Sequence, residues 1–586
     1  MKILLVAINA KYIHSNLAVY CLKAYAEKNM PEDVNVQIEL AEYTINQIRD
    51  DILKDIYQRQ ADLICFSCYI WNLDYVESMI RDVKKVMGDT VIWAGGPEVS
   101  YDSRETLERL PELTGVMKGE GEKTFTALCE AYRADTKETA GRLTQALEQI
   151  DGITFRRPDG SICERPWREP MDLSEVPFVY HDMKKFENKI IYYETSRGCP
   201  FSCSYCLSSI DKRLRFRSLE LVFDELQFFL DHKVPQVKFV DRTFNCKHDH
   251  AMAIWNYIQD HDNGITNFHF EVAADLLNEE EIELIRKMRP GLIQLEIGVQ
   301  STNMDTIREI RRTMKLEEVR EHVARIKEKG NIHQHLDLIA GLPYEDIKSF
   351  RKSFDDVYDM RPDQLQLGFL KVLKGSHMQE MQQVYELRYK DEPPYEVLST
   401  KWLPYSDVIE LKGIEEMVEI YYNSGQFTHV IEQLGKNYQS AYQMYRDLWQ
   451  YYEMHGYLGI QHKRSARYEI VLDFVKENYP EQTENMRELL TYDYYLRENA
   501  KSRPEFAGED QTDKRFVRAF YEEEEKERKH LPGYEQFDKN QMRKMTHLEY
   551  FPHLGKMLLF DYKFRNPLNQ EARTCMIKKD SLERRG

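Results

Sequence analysis

The chain has 586 residues, enough for three or four domains of ordinary size, and its 42% hydrophobic content supports sizeable cores. With 81 Lys and Arg against 99 Asp and Glu, the net charge of −18 argues against broad nucleic-acid binding, which needs a basic footprint. No apolar run approaches the ~20 residues of a membrane helix, and "MKILLVAIN" reads as a strand rather than a signal peptide, so a cytoplasmic protein without membrane association is expected.

Residues 1–145 alternate strand and helix patterns. Strand-like runs are "KILLVAI", "VNVQIEL", "ADLICFS", "TVIWAGG" and "LTGVMKG", with helical periodicity between them, as in "LDYVESMIRDVKKVM". This order predicts a doubly wound, flavodoxin-like parallel sheet, whose ligands sit beyond the carboxyl ends of the strands. Residues 146–189 change character: "ITFRRPDGSICER" reads as a hairpin around a Pro-Asp-Gly turn, and "PWREPMDLSEVPF" as an extended linker.

Residues 190–377 alternate again, through "KIIYYET", "QVKFVD", "NFHFEV", "LIQLEIGV", "HQHLDLIAG" and "QLQLGFL". Six β/α units predict a partial (β/α)6 barrel with polar residues gathered at one mouth. Residues 378–586 lose the strand signal and read as a mostly helical, tyrosine-rich extension. Within it, "EEEEKERK" places Glu522 four residues before Lys526 and Glu524 four before Arg528, the pattern of a solvated helix face.

Ten cysteines are present, and three of them crowd into "RGCPFSCSYC". Cys199, Cys203 and Cys206 have the spacing C-x3-C-x2-C. Thiolates are soft ligands suited to iron–sulfur clusters, and three of them leave one iron of a four-iron cluster open. Zinc sites usually close with four ligands, and Cys246, on a later loop, is a weak fourth. Cys65 and Cys68 straddle a strand end, so alternation aims them to opposite faces as buried thiols. A structural or electron-transfer cluster is the alternative use of the triad.

The triad, with Tyr205 before its last cysteine, resembles the radical S-adenosylmethionine (SAM) superfamily. The resemblance implies a [4Fe-4S] cluster whose open iron binds SAM, reductive cleavage to a 5'-deoxyadenosyl radical, and an external one-electron reductant of flavodoxin or ferredoxin type. It implies that Tyr205 contacts the adenine. It further implies that Glu271 in "FHFEVAAD", Gln300 in "EIGVQST", Arg312 in "IRRTM" and Asp337 in "LDLIAGLP" hold SAM. Arg311 is an alternative to Arg312, and Asp241 in "VDRTFN" is expected to face the substrate cavity.

A doubly wound domain in front of such a barrel resembles the cobalamin-binding subfamily. A familiar version carries D-x-H-x-x-G after the first strand, S-x-L after the third and a Gly-Gly pair after the fourth. Here "NAKYIHSNLA" lacks the first signal and leaves His14 as its only histidine. Ser67 matches the start of the second, with Tyr69 in place of Leu, and Gly95 and Gly96 match the third. Cobalamin would then lie against Ser67, Gly95 and Gly96. His14 is a candidate lower ligand of the cobalt, against its reading as a pocket histidine. "KGEGEKTF" also looks like this subfamily, and its helix start offers backbone N–H groups.

The expected activity is cobalamin-dependent methylation of an unactivated carbon, with the substrate unassigned. The alternatives are a cyclase, oxidase or rearrangement enzyme on the same barrel, and a non-catalytic iron–sulfur or corrinoid sensor. tRNA methylthiolation usually adds a second cysteine triad and a basic terminal module, and neither is found.

Overall fold

The run "KILLVAIN" forms β1 (Lys2–Asn9), buried without interruption from Ile3 onward. Such a strand suits the middle of a parallel sheet covered by helices on both faces. The computed structural model describes residues 1–31, 36–134 and 142–578. After β1 come α1 (Leu17–Asn29), β2 (Gln37–Thr44), α2 (Arg49–Arg59), β3 (Leu63–Ser67), α3 (Leu73–Val86) and β4 (Val91–Gly95). Then follow α4 (Pro97–Ser100), α5 (Ser103–Arg109), β5 (Gly115–Met117), α6 (Glu122–Ala134), α7 (Arg142–Leu147), β6 (Ile153–Arg156) and β7 (Ile162–Glu164).

These strands make one sheet in the order β2-β1-β3-β4-β5-β6-β7. The first five are parallel, in the flavodoxin-like order, and the hairpin β6–β7 adds antiparallel strands at the β5 edge. Two apolar clusters cover the two faces: one holds Ile64, Phe66 and Cys68, the other Leu63, Cys65 and Trp93. Cys65 and Cys68 thus lie in opposite cores. Each fully buried Leu, Ile, Val or Phe contributes about 1.5–3 kcal/mol, so both faces hold the sheet together.

The next elements are β8 (Ile191–Tyr193), β9 (Ser196–Arg197), β10 (Arg215–Phe216), α8 (Leu219–Asp231), β11 (Gln236–Phe239), α9 (His248–Asp260), β12 (Asn267–Val272), α10 (Glu279–Lys287) and β13 (Ile293–Gln300). After them come α11 (Met304–Glu309), α12 (Leu316–Lys327), β14 (His333–Ala340), α13 (Ile347–Tyr358) and β15 (Gln364–Phe369). The six β/α units of the partial barrel therefore run from β8 to β15, with β9 and β10 forming a separate antiparallel pair.

Strands β8, β11, β12 and β13 are parallel neighbours in that order. Burial in β13 alternates strictly. On the apolar side Phe239, Phe268 and Phe270 pack on one another, and Trp255 of α9 meets Phe270 edge-on. The opposite side carries Lys238, His269, Gln294 and Glu296 in mutual contact.

The chain divides into two compact units: Met1–Ile332 with Ile339–Ile347 and Gly368–Tyr405, and His333–Leu338 with Lys348–Leu367 and Ser406–Gly586. In the second unit the tyrosine-rich helices pack through rings and hydroxyls. Phe354 and Tyr358 meet Tyr442 and Tyr445, and the Tyr421 and Tyr452 hydroxyls lie 2.7 Å apart. The region is mostly helical, as expected, but it also carries strands that the sequence did not signal. Thr546–Phe551, Lys556–Arg565 and Ala572–Ile577 form a three-stranded antiparallel sheet. Charged residues inside "KMLLFDYKFR" hide its alternation. Glu524 is also not on a solvated face: it is buried and accepts from the His530 and Leu531 N–H groups. Among the described residues no helix is long and apolar enough to cross a membrane.

Candidate functional site

The three cysteines sit on the loop between β9 and β10, closed at its neck by the pairing of Arg197 with Arg215. Gly198 has φ +88°, and a Cβ there would lie 2.5 Å from the Arg213 carbonyl oxygen, so only glycine lets the two ends of the loop cross. The Ser209 hydroxyl donates to the Cys203 and Cys206 carbonyls, at 2.9 and 2.7 Å, and curls the backbone around the triad. Cys199 and Cys203 are buried, while Cys206 is half-buried and lines a cavity. Cys246 is half-buried on the Phe244–Cys246 turn. Its thiol is pushed up to about 11 by burial first, then by Cys199 and Asp241.

Arg312 lies beside the triad. Its Nη1 is 3.9 Å from Cys203 Sγ and 3.4 Å from the Tyr205 hydroxyl, and its Nη2 donates to the Gly298 carbonyl. Burial pushes the Cys203 thiol up, and the Arg312 charge opposes it. Arg311 instead donates to His377 at 2.8 Å on the surface. Gln300 ends β13 in the left-handed region, φ +71°, a conformation that a non-glycine residue holds only under surrounding constraint. Its Oε1 and the Nε of Arg312 are buried without a hydrogen-bond partner. Unpaired buried polar atoms are expensive, so their presence at one spot fits a polar ligand such as SAM. Asp337 lies on β14, 3.0 Å from His335.

A cavity of about 940 Å³, at the upper end for small-ligand sites, joins the strand ends of the front sheet to the cysteine loop. His14, Ser67, Gly95, Gly96, Cys206 and Glu271 all line it. Cys199, Cys203, Tyr205, Gln300, Arg312 and Asp337 do not. The cavity's size and its glycine-lined floor fit a cofactor as large as cobalamin.

The structure adds local detail at these positions and departs from the sequence expectation at Asp241. Gly96 has φ +112°, and a Cβ there would lie 2.4 Å from the Cys68 carbonyl oxygen, so the chain itself requires the glycine. At Gly95 a Cβ would make only ordinary contact with Met117, at 3.6 Å. His14 Nδ1 is 2.6 Å from the Tyr192 hydroxyl, which leaves Nε2 as its only uncommitted ring nitrogen. Burial, then Lys11 and Lys238, hold this imidazole below its ordinary pKa and hence neutral at pH 7. The Ser67 hydroxyl accepts from Asn16 at 3.1 Å. Asp241 does not line the cavity: it is buried and accepts from Thr195 N, Thr195 Oγ1 and Ser196 Oγ, bracing the entry to the cysteine loop. Its neighbour Arg242 lines the cavity instead.

Sequence reasoning also missed residues at this site. Tyr69 and Trp71 stack at 4.4 Å on the cavity wall. On β11–β13, Lys238 meets Glu296 at 3.1 Å and His269 meets Glu296 at 2.9 Å. Burial pushes the Glu296 carboxyl up, but His269 and Lys238 outweigh it and hold it at about 2. The period-2 polar residues of "IQLEIGVQ" were the available signal.

Comparison with known proteins bears on this arrangement. A family model described as the B12 binding domain matches residues 3–129, and one described as the Radical SAM superfamily matches residues 193–357. A third, described as a protein of unknown function (DUF4080), matches residues 383–565. The chain is 26% identical over 311 residues to the 2-(S-pantetheinyl)-carbapenam-3-carboxylate methyltransferase of Streptantibioticus cattleyicolor, covering 50% of this chain and 44% of that one. It is 21% identical over 328 residues to the anaerobic magnesium-protoporphyrin IX monomethyl ester cyclase of Rubrivivax gelatinosus, covering 54% and 57%. The chain thus spans about half the length of these curated relatives. Among solved structures, the radical SAM methyltransferase TsrM of Kitasatospora setae, with cobalamin and a [4Fe-4S] cluster bound, matches with a TM-score of 0.54. The identity is 16% over 67% of this chain and 78% of that chain, a likeness of fold.

Proposed function

We propose that the chain is a radical SAM enzyme with a B12-binding domain, and that it cleaves SAM reductively and methylates an unactivated carbon with the help of cobalamin. The observation that carries this reading is the single cavity shared by the front strand ends and Cys206. Both cofactors can reach one substrate there.

Cys199, Cys203 and Cys206 would hold the [4Fe-4S] cluster. Tyr205, Glu271, Gln300 and Arg312 would hold SAM, and the Ser67 and Gly95–Gly96 turns would face cobalamin. When bound, these groups supply hydrogen abstraction from a C–H bond and a methyl group. The chain's own residues bind and orient. The Arg312 guanidinium, beside Cys203, offers paired N–H donors suited to a carboxylate. The unpartnered Gln300 Oε1 offers an acceptor for an ammonium or hydroxyl group. The stacked rings of Tyr69 and Trp71 give the cavity an apolar wall. A flavodoxin- or ferredoxin-type protein would deliver the electron.

Similarity to the cyclases supports a second reading, the same cofactors without methyl transfer. Anaerobic reconstitution with iron, sulfide and cobalamin tests the common ground. One cluster and one corrinoid per chain are expected. A chain that takes up the cluster but no corrinoid would remove the methyl-transfer reading.

A further inference from the structure

The segment "KGEGEKTF" contributes more than a helix start. Glu122, the first residue of α6, is 4% exposed and accepts from Arg197 Nη2 at 2.6 Å. Glu120 meets Arg215 at 2.6 Å and Arg197 at 3.6 Å. Those two arginines are the neck of the cysteine loop, paired across β9 and β10. Glu194 adds a third carboxylate to Arg197 at 3.0 Å, and Asp211 holds Arg215 at 2.8 Å while its carbonyl accepts from Cys199 N at 3.1 Å. Both ends of the loop are therefore fastened to two carboxylates of the front domain. Gly119, Glu120, Gly121 and Glu122 also line the cavity, so one short segment touches the corrinoid space and grips the cysteine loop.

We propose that Glu120 and Glu122 are positioning residues: a carboxylate clamp by which the front domain fixes the loop bearing Cys199, Cys203 and Cys206. The physical case is one of geometry and burial. The planar Arg197 fork is matched by carboxylates on several sides, and charge-assisted hydrogen bonds are the strong ones. Without Glu122, a half-buried guanidinium loses its shortest partner, and Arg197 is left to Glu194 and to the longer contact with Glu120. The clamp's importance to chemistry rests on the cluster reading above; its mechanical action does not.

The test uses the full-length protein without cluster, SAM or corrinoid. Hydrogen–deuterium exchange is followed in residues 198–214 and, as internal control, in residues 293–300 of β13. In Glu122→Gln the loop should exchange at least about tenfold faster, the loss of one charge-assisted hydrogen bond, while β13 is unchanged. Glu122→Asp should restore most of the protection, and Arg197→Lys, which keeps charge but loses the fork, should not. After cluster loading, the electron paramagnetic resonance spectrum of reduced Glu122→Gln should broaden relative to wild type. Unchanged loop exchange in both Glu122→Gln and Arg197→Lys would overturn the proposal. So would equal acceleration in the loop and β13, which would make Glu122 a general stabiliser. Because exchange is read without cofactors, failure of the methyl-transfer reading would leave this result standing.

Discussion

The chain holds two parallel sheets that solve burial in opposite ways. In the front sheet β1 is apolar on both faces and buried from Ile3 to Asn9. In the barrel sheet β13 alternates, with Leu295, Ile297 and Val299 buried and Gln294, Glu296 and Gln300 on the other side. A sheet sealed on both faces can offer a ligand only its strand ends, here the turns around Ser67 and Gly95–Gly96. A sheet with one polar face can present side chains along the length of its strands, as Lys238, His269 and Glu296 do. The front domain is thus built as a platform, and the barrel as a reacting surface.

The largest expected effect would separate the two completely. Cys203→Ala should abolish the cluster's absorbance and all 5'-deoxyadenosine formation, while corrinoid uptake by the front sheet stays within about twofold of wild type. Loss of both cofactors together would mean that the platform depends on the reacting surface.

Next comes a paired substitution in the front sheet. Gly96→Val combines φ +112° with a 2.4 Å approach to the Cys68 carbonyl, and should cost about 2–3 kcal/mol of stability along with corrinoid uptake. Gly95→Ala meets only a 3.6 Å contact and should stay within about 0.5 kcal/mol. Thermal unfolding of the two proteins, read with corrinoid binding, checks the difference.

A smaller effect sharpens the barrel side. Gln300→Ala should weaken SAM binding by about tenfold with the cluster's absorbance intact, the scale of one lost hydrogen bond to a charged group. Gly298→Ala should act in the same direction, because its Cβ would lie 2.3 Å from Gln300 Nε2. Equilibrium binding of SAM to the loaded protein measures both.

The most gradual effect concerns pH. Burial raises the Asp241 carboxyl from its ordinary value to about 6, against the hydrogen bonds from Ser196 and Thr195. A carboxyl raised on folding stabilises the fold at pH values below its unfolded pKa, and that contribution fades as pH rises through the folded pKa. Stability should therefore fall between about pH 4 and pH 6, by on the order of 2 kcal/mol, and Asp241→Asn should flatten the curve. Denaturant unfolding across this range reads the slope.

Local patterns were the legible part of the molecule. The triad spacing lies within eight residues, and the β/α alternation and the turn around Gly95 and Gly96 are equally short-range. What escaped was set by partners far away in sequence. Nothing near Glu122 announces Arg197, 75 residues on. Nothing near Gly96 announces the Cys68 carbonyl, and the Glu524 carboxylate looked solvated because its His530 and Leu531 partners follow the helix end. Asp241 was expected to face substrate because its position after a strand suggests the mouth. The backbone there instead turns it under the loop, toward Thr195 and Ser196.

The account stands most directly on the fate of SAM. Protein reconstituted with cluster and cobalamin is given SAM, a low-potential reductant and an extract containing its substrate, and both adenosyl products are counted. S-adenosylhomocysteine and 5'-deoxyadenosine should both form, the former only when corrinoid is loaded. 5'-Deoxyadenosine without any corrinoid-dependent S-adenosylhomocysteine would contradict methyl transfer, and the absence of both from wild-type protein would contradict a radical SAM enzyme altogether.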